Sequence, residues 1–156
     1  MPLSIQVAGF QEVERTLKEF APKLRRKALR KALKAGGDVI ATEVKLRAPV
    51  RTDVATGRSN ALPPGALRAD ITVQVQTSSN EVAGVAKIGP SPKTDHVARW
   101  VEFGHRMVTH RPGQRQIGQV PAHPFMRPAF DSSRDEAVAA FGDTLLQAVA
   151  EMGTNV

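Results

Sequence analysis

The chain has no cysteine and no tyrosine, and only one tryptophan among its 156 residues. Without cysteine, disulfides, thiol nucleophiles and thiolate zinc sites are excluded together, and the composition suits an intracellular birthplace. No apolar run approaches the ~20 residues of a membrane helix, so no membrane association is expected. Met1–Val7 has neither the basic leader nor the long apolar core of a signal peptide. Also missing are a Gly-x-Ser-x-Gly elbow, a phosphate-loop motif and a dinucleotide fingerprint. With no paired carboxylates either, the expectation is a protein that is not an enzyme, with no catalytic residue and no cofactor.

What is present suffices for a core. The apolar share is 41%, and a chain of this length forms one domain, taken here as 1–156, that buries roughly two-thirds of its unfolded surface. The net charge is +7, and a basic protein is drawn to polyanions by a long-range, salt-sensitive field.

Leu3–Val7 alternates as a half-buried strand does, and Gly9 ends it. Phe10, Val13, Leu17 and Phe20 then recur at helical spacing. Pro22 suits the first turn of a second helix, predicted over Pro22–Arg47, because a missing N–H is harmless there. Leu24, Ala28, Leu29, Ala32, Leu33, Gly36, Val39, Ile40 and Val44 share one arc of it, interrupted by Arg25. Lys23, Lys27, Arg30 and Lys34 line the opposite side, flanked by Arg26 and Lys31. No acidic residue occurs between Lys23 and Lys34, so pairing within this stretch cannot neutralise the stripe. The stripe is either a solvated face or a surface for phosphate or an acidic partner.

Pro49 ends the helix, and residues 49–65 form a Pro/Gly-rich loop long enough to be a contact arm. Ile71–Gln76 and Val82–Ile88 read as a hairpin turning at Thr77–Asn80. His96–Phe103 fits one helical turn or, towards its end, a strand. Residues 104–123 form a second Gly/Pro-punctuated loop with Arg106, Arg111 and Arg115. Ser132 or Ser133 is expected to cap a last helix, with Asp135 and Glu136 in its first turn. Val138, Phe141, Leu145, Val149 and Met152 form its buried stripe. The fold class is α+β: helices on one face of a small, mostly antiparallel sheet, with two long Pro/Gly-rich loops.

Two segments concentrate aromatic groups and restricted backbone: Trp100-Val101-Glu102-Phe103-Gly104 and Pro124-Phe125-Met126-Arg127-Pro128-Ala129. Neither holds a nucleophile beside a base, so both read as docking elements. Glu102 lies between apolar neighbours, where an unpaired carboxylate would cost several kcal/mol. It calls for a salt bridge, with Arg99, Arg68 or Arg127, or for a capping role. Arg127 has the planar fork for a bidentate carboxylate contact. His96, His105, His110 and His123 have no metal-ligand spacing, and no metal site is expected.

The order of these motifs resembles the bacteriophage head–tail junction family of the HK-ninety-seven gene-product-ten type, a tail-component family. Gly9-Phe10, the basic helix closing in Ala48-Pro49, Gly65-Ala66-Leu67-Arg68 before the strand, the aromatic-x-Glu-Phe-Gly unit at Trp100–Gly104 and the closing Pro124–Ala129 all correspond. His105 stands where the family usually has Thr, and the first loop is long. The resemblance implies a structural virion protein made in the bacterial cytoplasm: a homo-oligomeric ring at the head–tail joint, in neck or tail completion, that contacts connector and tail proteins and lets DNA pass. On that reading Trp100, Glu102, Phe103, Gly104, Pro124, Phe125, Met126, Arg127 and Pro128 brace the fold or meet a neighbouring subunit. The competing readings are a tail terminator capping the tube and a DNA-binding module using Lys23, Arg26, Lys27, Arg30, Lys31 and Lys34 for non-specific contact with double-stranded DNA. A hydrolase depending on Glu102 or His105 is a third.

Overall fold

The computed structural model describes residues 11–19, 21–51, 62–78, 83–108 and 115–153, without the side chains of residues 13, 16 and 19. The strand expected at Leu3–Val7, the Gly9-Phe10 turn, Phe20 and most of the first long loop lie outside the described residues.

Helix α1 (Gln11–Glu19) has Glu12 and Glu14 in its first turn and Lys18 in its last, as the helix dipole favours. Leu17 is its buried anchor. Helix α2 spans Pro22–Arg47 as the sequence predicts, with proline in the first turn and the Ala48 N–H closing on the Val44 carbonyl. Ala28, Leu29, Ala32, Gly36, Ile40 and Val44 are buried along its apolar arc. Leu24 departs from expectation and is 44% exposed. It lines an open groove with Met152, near the end of the last helix, rather than the packed core.

The short helix α3 (Ala66–Ala69) leads into strand β1 (Ile71–Thr77), which pairs antiparallel with β2 (Gly84–Pro90) and sets Val73 opposite Ile88. Helix α4 (Asp95–Phe103) resolves the ambiguous segment in favour of helix. The sequence predicts one or two further short strands without placing them or pairing them as a hairpin; the second Gly/Pro-rich stretch contains two, β3 (His105–Val108) paired with β4 (Gln116–Val120) and bulged between Met107 and Val108. Its strands are too short, and β4 is too polar around Gly118, to give a clear period of two. The described strands thus form two two-stranded sheets in an α+β fold.

Helix α5 (Met126–Gly153) starts six residues before Ser132, so neither Ser132 nor Ser133 caps it. Both hydroxyls instead donate to the Ala129 carbonyl, at 3.1 and 2.7 Å, a back-bond that serine makes inside a helix. α5 runs antiparallel to α2: Arg47 meets Ser132 at one end and Lys31 meets Glu151 at the other. α2 lies between α5 and the first sheet. A Cβ on Gly36 would stand 2.8 Å from the Ala137 carbonyl of α5, and one on Gly37 2.6 Å from Val73 of β1, so both neighbours approach α2 closely.

Two apolar clusters result. The larger gathers Ile40, Val44, Leu67, Ile71, Ile88 and Phe125 where α2, the first sheet and the start of α5 converge. The smaller joins Leu17, Ala28, Ala32, Leu145 and Ala148; Phe141, Val149 and Met152 pack on it half-buried, as the predicted stripe requires. No described helix is long and apolar enough to cross a membrane.

Candidate functional site

The two aromatic segments meet. Glu102, near the end of α4, faces the start of α5: Oε2 accepts from the backbone N–H of Phe125 at 2.8 Å and of Met126 at 3.0 Å, and Oε1 from that of Arg127 at 3.3 Å. A helix leaves its first four N–H groups without intrahelical partners. Here the carboxylate takes three, and the fourth position is Pro128, which has no N–H to satisfy. The first intrahelical bond follows at once, from the Ala129 N–H to the Phe125 carbonyl. The negative charge also lies at the positive end of the dipole. Glu102 is therefore the cap of α5, and its partner is backbone rather than an arginine. Arg99 pairs with Asp95 at 2.6 Å, Arg68 donates to the Ala48 carbonyl, and Arg127 contributes its N–H while its side chain is exposed.

The clasp is reciprocal. The Val101 carbonyl at the end of α4 accepts from the His123 N–H at 2.7 Å. Gly104 makes the turn between them at φ 71°, and a Cβ there would lie 2.6 Å from the Val120 carbonyl. Only glycine fits both the left-handed conformation and the close approach. Phe125 and Met126 then point into the main core, whereas Pro124 is exposed.

The nine candidate residues within the two segments thus separate. Glu102, Gly104, Phe125, Met126 and Pro128 hold α4 to α5. Trp100 and Phe103 face outward, 49% and 55% exposed, and Met107, Val108 and Ile117 of the hairpin are exposed as well. Trp100 lies between two histidine rings, His96 edge-on at 5.2 Å and His105 tilted at 5.1 Å. His110 lies outside the described residues.

A second network escaped the sequence reading. Asp70 Oδ2 accepts from Thr94 Oγ1 at 2.6 Å, Ser91 Oγ at 2.7 Å and the Ser91 N–H at 3.1 Å. Those hydroxyls, Thr94 foremost and then Ser91, hold the Asp70 carboxyl below the ordinary aspartate value. The network joins the start of β1 to the start of α4. The Ser91-Pro92-Lys93-Thr94 turn was the available signal, but nothing local pointed to Asp70.

The six basic residues singled out on α2 also come together. Lys23, Arg26, Lys27, Arg30, Lys31 and Lys34 line an open groove of about 760 Å³, with Thr144 and Gln147 of α5 on its other wall. Pairing relieves two of them: Lys34 meets Asp38 at 2.8 Å, just beyond the acid-free stretch, and Lys31 meets Glu151 of α5 at 3.7 Å.

A family model described as "Bacteriophage HK97-gp10, putative tail-component" matches residues 11–104, well over half of the chain. The chain belongs to the HK97-gp10 family. It is accordingly a bacteriophage tail-component protein. The family match runs from α1 to Gly104, and so takes in the basic helix, Gly65–Arg68 and the Trp100–Gly104 unit. Pro124–Ala129 and α5 follow it, joined to the matched part through Glu102. No curated protein and no solved structure matches the chain.

Proposed function

We propose that this HK97-gp10 family member is a non-enzymatic structural subunit of the virion, assembling with copies of itself into a ring at the head–tail joint, in neck or tail completion. One observation carries the reading: α4 and the β3–β4 hairpin present Trp100, Phe103, Met107, Val108 and Ile117 to solvent while the Glu102 clasp fixes their direction. An isolated two-stranded hairpin is at best marginally stable in water. Apart from its own pairing, this one makes few contacts with the other described elements. A neighbouring subunit covering it would remove both deficits. In this reading the contact is head-to-tail, which closes a ring when the rotation per subunit divides the circle.

The chemistry of the clasp supports a structural role over catalysis. Both oxygens of Glu102 are engaged by backbone N–H groups, which leaves it poorly placed to shuttle protons.

Light scattering on the full chain tests the proposal, alone and mixed with the adjoining connector and tail proteins. A multi-subunit species that Trp100→Ala/Phe103→Ala reduces to folded monomer is the expected result. A monomer under all these conditions, or a double variant that assembles like the parent, would sink it.

A further inference from the structure

The net charge of the chain has one address. Seven of the 22 lysines and arginines fall between Lys23 and Lys34, where no acidic residue occurs. The remaining 15 are matched by 15 aspartates and glutamates, so the surplus of +7 belongs to this stretch of α2. Tertiary structure then turns most of it into one surface, the groove between α2 and α5. Lys31 and Lys34 have acidic partners; Lys23, Arg26, Lys27 and Arg30 have none among the described residues. Four uncompensated cations on one face repel each other, and an anionic partner relieves the repulsion.

We propose that this groove binds the phosphate backbone of duplex nucleic acid without reading its sequence. Three features of the lining select that ligand. Lys23 to Lys34 spans ~16 Å at the α-helical rise, a length over which a DNA duplex presents ~10 phosphate charges. No aromatic residue lines the groove, so there is no platform on which the unstacked bases of a single strand would stack. The lining also lacks any large aliphatic residue: Ala35 is its one apolar residue, and the rest of its apolar surface belongs to the carbon stems of polar and charged side chains. A protein partner would want aromatic or large aliphatic anchors at the centre of its interface, whereas phosphates need only the cations. Discrimination among bases calls for side chains placed in a groove edge-on to them; mobile lysines on an open surface provide charge instead. This site is separate from the α4–hairpin surface, and its occupancy does not depend on assembly.

The test is fluorescence anisotropy of labelled 20-base-pair DNA duplexes of two unrelated sequences, and of a 20-nucleotide single strand, with the full chain between 50 and 200 mM salt. Four phosphate contacts predict an affinity falling ~100-fold over that range. The two duplexes should bind alike and more tightly than the single strand. Lys23→Gln/Lys27→Gln/Arg30→Gln should lower duplex affinity more than tenfold at 50 mM salt, with the salt slope smaller by roughly one per contact removed. A control removing the same charge elsewhere, Lys45→Gln/Lys87→Gln/Arg115→Gln, should bind nearly as the parent does; all six positions are exposed, so folding is retained and circular dichroism verifies it. The proposal is overturned by any of four results: no duplex binding at 50 mM salt, equal loss in both variants, equal affinity for the single strand, or competition by polyglutamate as effective per charge as by DNA. The last would reassign the groove to an acidic protein.

Discussion

Glu102 and Phe125 are 23 residues apart in sequence and joined by a 2.8 Å hydrogen bond from the Phe125 N–H to the Glu102 carboxylate. Through that bond and its two companions, the end of α4 becomes the start of α5. A charge between apolar neighbours is thereby explained, and so is the proline three residues after Phe125.

Removing the cap strands three backbone donors. Glu102→Ala should destabilise the fold by about 2–3 kcal/mol, since losing an ordinary cap costs ~1 kcal/mol and unsatisfied part-buried donors add to it. Glu102→Gln, which keeps an acceptor but loses the charge, should cost less. Urea denaturation followed by circular dichroism measures both, and a change below ~0.5 kcal/mol for the alanine variant would show that water replaces the carboxylate.

Two glycines at positive φ give a comparison. At Gly65, with φ 78°, a Cβ would meet nothing within 4 Å, whereas at Gly104 it would meet the Val120 carbonyl. Gly65→Ala should therefore cost about 1 kcal/mol, the backbone term alone. Gly104→Ala should cost clearly more, because at ψ 171° its backbone lies where only glycine is at ease and β4 must also move. Equal melting temperatures for the two variants would contradict both the backbone strain and the close approach at Gly104.

Phe125→Ala and Trp100→Ala should fail differently. Phe125 is 2% exposed in the main core, and truncating a buried Phe costs ~3–5 kcal/mol, enough to leave little folded protein. Half-exposed Trp100 should cost the monomer about 1 kcal/mol or less, and its loss should instead be seen in oligomeric mass. If Trp100→Ala unfolds the isolated chain, the residue is a core anchor and the exposed surface is misjudged.

Asp70 sets a pH dependence. Its carboxyl is held below the usual value by Thr94 and Ser91, so its contribution is present above the unfolded value near ~3.9 and is lost as pH falls through the lower folded value. The parent should lose more stability between about pH 5 and pH 2 than Asp70→Asn, which should itself be ~1–2 kcal/mol less stable at pH 7. Parallel stability curves for the two proteins would exclude the linkage.

Much of this was legible in one dimension. The bounds of α2, the β1–β2 hairpin, the last helix's stripe and the Glu102 requirement for a partner follow from periodicity, proline chemistry and the cost of burying a charge. The place and pairing of β3 and β4 were not, because strands of four and five residues hold too little pattern. The start of α5 was misplaced at the serines because a cap is ordinarily local, and this one is delivered from α4.

By itself, then, the chain determined which residues carry its charge and its aromatic groups, since lysine spacing on a helix and the scarcity of large rings are facts of composition and period. What only the folded molecule decided is where those groups face. Packing of α5 against α2 gave the cationic face a second wall, Thr144 and Gln147, and three N–H groups converging on one carboxylate turned Phe125 inward and left Trp100 outside. Such contacts join residues far apart in sequence, and no local preference of the backbone encodes them.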